Sequence, residues 1–158
     1  MGSWGTVDTI NPSLGDRIEI RYQDVNHWGI YAGKDRKGRH LIIHFTPDHD
    51  RKTMKIIMGQ TSAKVKKELL SDVVGGDLVR VNNSDDSRHR PLAPAEILKK
   101  AEAAVGQSLP YKPLENNCEH FTNRCRYGHS KGWSHQVDEF RGGQPTKAAS
   151  GTATASLF

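Results

Sequence analysis

The run Arg17-Ile18-Glu19-Ile20-Arg21-Tyr22 alternates charged and apolar positions. With Ile18, Ile20 and Tyr22 on one side, it predicts a half-buried strand. Two further β-rich stretches, Asn26 to Gly33 and Arg39 to Pro47, flank the charged turn Lys34-Asp35-Arg36-Lys37-Gly38, which is the pattern of a hairpin. Thr53 to Met58, Ala63 to Leu70 and Val79 to Val81 offer more strands, although Lys64 to Leu69 is equally compatible with a helix. Asn82 to Arg90 reads as a polar loop. Pro94 then opens a helix with Glu96 in its first turn and Ile97, Leu98, Ala101 and Val105 on one face, ending near Gly106. A second helix starts after Asn117, a good N-cap, and meets no breaker until Gly128, with Arg124 and Arg126 suited to its negative C-terminal end. No internal repeat is present. The elements add up to an α+β fold, an antiparallel sheet packed with helices. Residues 15–140 form its one domain, residues 1–14 a flexible, extended leader, and residues 141–158, rich in Gly, Ala, Ser and Thr, a disordered tail.

Chemistry concentrates at two of these elements. The second helix begins Asn117-Cys118, so Cys118 stands in a first turn, where unpaired N–H groups and the positive dipole end favour a thiolate. The hairpin carries His27 on one strand and His44 on the other. With Asp35-Arg36 as a two-residue tip, Tyr31 faces His40 and His27 faces His44, placing the histidine Cβ atoms about 5 Å apart on one side of the sheet. Each histidine alone reads equally as a half-buried structural residue. A converging pair together with a helix-start cysteine reads as a nucleophile, a base and an orienting group. Cys125 reads as a packed residue, since seven positions along one helix separate the sulfurs by roughly 10 Å, too far for a disulfide.

Composition narrows the setting. A chain of 158 residues suits one domain with a real core. It has no apolar run of transmembrane length and no signal-peptide pattern, so the expectation is a cytoplasmic, soluble protein. The net charge of +5 gathers in Lys34 to Arg39, Arg51 to Lys55 and Lys64 to Lys67. Such a surface suits anionic phospholipid or nonspecific contact with nucleic acid, and equally the solvated strand edges where lysine discourages pairing. Met1-Gly2-Ser3-Trp4-Gly5-Thr6 also fits the loose myristoylation pattern.

The Asn-Cys-Glu-His-Phe box at 117–121, the upstream His-Trp-x-Ile-Tyr-x-Gly strand from His27 and the His44-Phe-Thr-Pro strand end resemble the lecithin:retinol acyltransferase superfamily. Within it they are most similar to the HRAS-like suppressor group, the phospholipase A/acyltransferases. Gly15 to Ile20, Val79 to Asn83, Arg126-Tyr127-Gly128 and Ser134 to Val137 extend the resemblance over most of the chain. The resemblance implies a papain-like, NlpC-type fold in circularly permuted order, with the histidines before the cysteine. It implies Cys118 as acyl-accepting nucleophile, His27 as general base, His44 as the residue orienting His27, and Asn26 as a donor to the oxyanion. The implied activity is a calcium-independent phospholipase A and acyltransferase, cofactor-free and monomeric. It would release fatty acid from glycerophospholipids or pass it to an amine such as phosphatidylethanolamine. Two departures from the family stand out: a longer, more basic hairpin tip, and no apolar anchor at the end of the sequence. Lys34, Arg36 and Lys37 are then the expected membrane contacts, making the protein peripheral, with no specific nucleic acid partner.

Two other classes fit some of the same residues. One is a non-catalytic relative, such as the picornaviral 2A proteins with similar histidine and Asn-Cys boxes, acting by binding protein or RNA. The other is a zinc protein using Cys118, His120, His27 and His44. Zinc fits least well, since positions 118 and 120 point to different sides of a helix and no CxxC spacing occurs.

Overall fold

The computed structural model describes residues 2–22, 25–47, 62–111 and 117–130. The strands are β1 (Arg17–Arg21), β2 (Asn26–Lys34), β3 (His40–Pro47), β4 (Ser62–Leu69), β5 (Leu78–Val81) and β6 (Ser108–Pro110). They form a six-stranded sheet in the order β5-β1-β2-β3-β4-β6, with every neighbouring pair antiparallel. Among the described residues three α-helices accompany it: α1 (Leu70–Val74), α2 (Pro94–Ala104) and α3 (Cys118–Tyr127).

Alternation in β1 foretold one buried face, yet both faces are buried: Ile18 and Ile20 on one, Arg17 and Glu19 on the other. Burial of the charged pair is compensated by partners from distant parts of the chain. Arg17 donates to the Asn82 carbonyl at 2.8 Å and to Asn123 Oδ1 at 2.6 Å, and pairs with Asp85 at 2.9 Å. Glu19 accepts from Arg80, Asn82 and Asn26 at 2.7–2.9 Å. A buried charge persists only when satisfied in this way.

The hairpin differs from the expected register. Ile30 pairs with Ile43 and Tyr31 with Ile42, then an irregularity leads to Lys34 opposite His40. The cause is the turn. Asp35 accepts from the backbone N–H groups of Lys37 and Arg39, both at 2.9 Å, and closes a longer loop than a two-residue tip. At Ile30 and Tyr31 the shift is two residues, an even number, so the set of side chains on each face is unchanged. A Cβ on Gly29 would lie 2.5 Å from Ile42 Cδ1 and 3.1 Å from His44 Cβ, so only glycine fits between these two β3 side chains.

The ambiguous Lys64 to Leu69 stretch is strand β4, paired along its length with β3. α2 buries Ile97 and Ala101 as expected. Its third buried residue is Ala104, since the helix ends there and Val105, its C-cap, is exposed. β6 was not anticipated. Residues of the expected leader are tied to the edge of β5: Gly2 N–H donates to the Val81 carbonyl, and Gly5 and Val79 exchange hydrogen bonds. The expected Thr53 to Met58 strand and the tail from 141 lie outside the described residues.

Candidate active site

α3 packs against β2, β3 and α2, and every one of its residues is buried. That is unusual for a sequence with four charged or imidazole side chains besides its two cysteines. Its N-terminus is fixed by a reciprocal cap. Asn117 Oδ1 accepts from the His120 N–H at 2.9 Å, and His120 Nδ1 accepts from the Asn117 N–H at 3.2 Å. His120 thus takes the place of the Glu or Gln of an ordinary capping box. It can do so only as a neutral ring. Burial, with help from the Arg124 charge, holds its pKa down at about 4. Cys118 is the first helical residue and is fully buried, and its backbone N–H donates to the Tyr111 hydroxyl at 3.1 Å. At the other end Gly128 takes the left-handed conformation (φ 84°) and caps the helix through its N–H to the Arg124 carbonyl.

Cys125 sits in the last turns. Burial pushes its thiol up to about 12, outweighing the opposing effects of Lys100 and Arg124. It is a neutral, packed thiol at any ordinary pH.

The two histidines meet, although the shifted register no longer sets them directly opposite each other. His27 Nε2 and His44 Nδ1 lie 2.7 Å apart, their rings at 79° to each other, and both are fully buried. Tyr22 stacks on His27 with an interplanar angle of 4°. Sequence reasoning missed Glu68, whose Oε2 lies 2.6 Å from His44 Nε2. It stands on β4 opposite Ile42, on the face shared with His44, and was hidden while that stretch could still have been a helix. Tyr111 and the capping role of His120 were also missed.

The remaining predicted residues separate from this pair. Asn26 precedes His27 and faces the other side of β2, where its Nδ2 donates to Glu19 Oε2 at 2.8 Å. Trp28 shares that side: the Arg17 guanidinium stacks over it and bonds Asn123 of α3. Phe45 of β3 packs against Phe121 of α3. His27 is the second residue of β2 and Cys118 the first of α3. Lys34, Arg36 and Lys37 are exposed around the hairpin loop, and His40 is held by the Tyr31 hydroxyl at 2.6 Å, apart from the histidine pair. Among the described residues no three His, Cys, Asp or Glu side chains gather as a metal site, and no helix is long and apolar enough to cross a membrane.

Residues 10–131 match the family model of lecithin retinol acyltransferase. The chain is 44% identical over 124 residues to human phospholipase A and acyltransferase 2, covering 76% of this chain and 74% of that protein. It is 40% identical to human phospholipase A and acyltransferase 3, covering 74% and 72%, and 37% identical to rat phospholipase A and acyltransferase 1, covering 75% and 70%. A match over most of the chain, joined to relatives of this similarity across most of their own length, means that the chain belongs to the lecithin retinol acyltransferase family.

Proposed function

We propose that the protein is a calcium-independent phospholipase A and acyltransferase that works through an acyl-thioester on Cys118. The observation that carries this reading is the buried hydrogen bond between His27 and His44, in a chain whose capped α3 opens with Cys118. The names of its relatives point the same way. The order of the parts, histidine strands before the cysteine helix, fits a circularly permuted papain-like fold of the NlpC type. In the proposed site the Cys118 thiol meets His27 where β2 and α3 begin.

The steps balance without a cofactor. His27 takes the Cys118 proton, and the thiolate attacks the ester carbonyl of a glycerophospholipid. The C–O bond then breaks, the lysophospholipid oxygen takes the proton from His27, and the acyl group remains on sulfur. Water then gives a proton to His27 as its oxygen bonds the acyl carbon, the C–S bond breaks to release fatty acid, and the Cys118 sulfur takes the proton back from His27; with the amine of phosphatidylethanolamine in place of water the product is an N-acylated lipid. Asn26 holds Glu19 on the opposite face of β2 from His27 and is not assigned to the oxyanion; the positive start of α3 is assigned that role instead. Lys34, Arg36 and Lys37 would hold the protein peripherally on anionic membrane from the cytoplasmic side, each contributing about 1 kcal/mol.

The test is incubation with phospholipid labelled in its acyl chain, with and without phosphatidylethanolamine, followed by mass spectrometry of the protein. The expected result is an acyl adduct on Cys118 with labelled fatty acid or N-acyl lipid as product. Turnover without such an adduct, undiminished in Cys118→Ser, would overturn the proposal.

A further inference from the structure

Glu68, His44 and His27 form one chain of hydrogen bonds: Glu68 Oε2 to His44 Nε2 at 2.6 Å, then His44 Nδ1 to His27 Nε2 at 2.7 Å. The chain runs in one direction only. An ionised carboxylate accepts and never donates, so the proton between Glu68 and His44 resides on His44 Nε2. A neutral imidazole with its proton on Nε2 has a lone pair on Nδ1. The proton between the rings therefore belongs to His27 Nε2, and the nitrogen of neutral His27 left with a lone pair is Nδ1.

We infer that Glu68 is a positioning residue: through His44 it fixes the tautomer of His27 and makes Nδ1 the proton-accepting atom. The inference rests on the proposed Cys118 and His27 chemistry for its consequence, whereas the tautomers follow from the two hydrogen bonds with Glu68 ionised and both rings neutral. Both ring–ring atoms are buried, where a misdirected proton finds no water to correct it, whereas the Glu68 side chain is 22% exposed and keeps part of its hydration. Glu68 can thus remain ionised while orienting two fully buried rings. When His27 gains a second proton, its charge lies two hydrogen bonds from the carboxylate. Glu68 then stabilises the imidazolium without touching substrate.

The experiment is proton–nitrogen NMR of the histidine rings in the full chain, beside steady-state lipid turnover, for wild type, Glu68→Gln and Glu68→Leu. In wild type at neutral pH, His44 and His27 should both carry the proton on Nε2. Glu68→Leu should give mixed tautomers and a kcat reduced at least about tenfold with KM little changed. Glu68→Gln keeps an acceptor oxygen and should fall between the two; it also controls for misfolding of the leucine variant. A wild-type His44 protonated on Nδ1, or tautomers and kcat unchanged in both variants, would overturn the inference. The expected tautomers in a protein that never forms an acyl adduct would leave this chain standing and sink the acyltransferase reading instead.

Discussion

The two ends of α3 each carry a buried cysteine, and the proposed function gives them opposite chemical characters. Cys125, in the last turns, meets only the cost of burial as a charged group, and its thiol rises to about 12 despite two cations nearby. Cys118 is equally buried but stands at the first position, where the positive end of the helix dipole favours an anion. Burial alone makes a thiol inert; a helix start is what can reverse that. The sharpest test of the contrast is mutation of each. Cys118→Ser should lower lipid turnover by about 10³-fold or more, and Cys125→Ser should leave it within about twofold. Iodoacetamide should label Cys118 first. Equal labelling of both would erase the distinction between the ends.

A second variant asks how much of the N-terminal advantage comes from the helix and how much from the imidazole. His27→Ala should reduce turnover by about 10²-fold or more and slow alkylation of Cys118 at neutral pH, while His40→Ala, which only loses the Tyr31 contact, should do little. Alkylation as fast in His27→Ala as in wild type would mean that the helix end suffices and that His27 acts on the substrate alone.

Local signals made α3 readable from sequence. Asn117 as N-cap, Gly128 as terminator and the absence of breakers between them gave both ends to the residue. The histidine pair survived an error in register because a two-residue shift keeps each side chain on its face. What could not be read depends on distant residues. Nothing near Arg17 announces that Asp85 and Asn123 will bury its charge. Glu68 could be placed only after Lys64 to Leu69 had been resolved as a strand against β3. Periodicity gave the wrong last face residue in α2 because the helix stops at Ala104.

The contrast between the ends extends to stability. At the C-terminal end Arg126 donates to both Asp86 carboxylate oxygens at 2.7 and 3.0 Å and to the Gly15 carbonyl at 2.8 Å, tying α3 to two other segments. Arg126→Ala leaves the partly buried Asp86 with the Tyr127 hydroxyl but without its charged donor, and should cost about 2 kcal/mol. The cap at the other end should cost about 1 kcal/mol in Asn117→Ala. Reactivity should rank the opposite way. In urea melts paired with alkylation rates, Asn117→Ala should slow Cys118 more than Arg126→Ala does, because only Asn117 shapes the first turn. A reversed ranking of alkylation rates would show that the first turn is set by the anchoring of the whole helix.

The smallest effect expected is the difference in pH dependence between wild type and a variant of the N-terminal cap. His120 has a pKa of about 4 in the folded protein against 6.5 for an ordinary histidine, so between those values the unfolded chain binds a proton that the folded one refuses. Its contribution to stability is intact above pH 6.5 and is lost as pH falls toward 4, at up to about 1.4 kcal/mol per pH unit. Asp35 and Asp86 act lower. Hydrogen bonds and nearby arginine charges hold both carboxyls below 3.8, so their contributions fade only as pH falls from there. His120→Gln retains a side-chain oxygen able to accept the Asn117 N–H but has nothing to titrate. Its stability should therefore fall less steeply than that of wild type between pH 6.5 and 4, and in parallel with it at lower pH. Identical slopes in the upper window would mean that the ring is already protonated in the fold and cannot be accepting from Asn117. The cap would then rest on the Asn117 side chain alone, leaving the first turn that holds Cys118 with one of its two reciprocal hydrogen bonds.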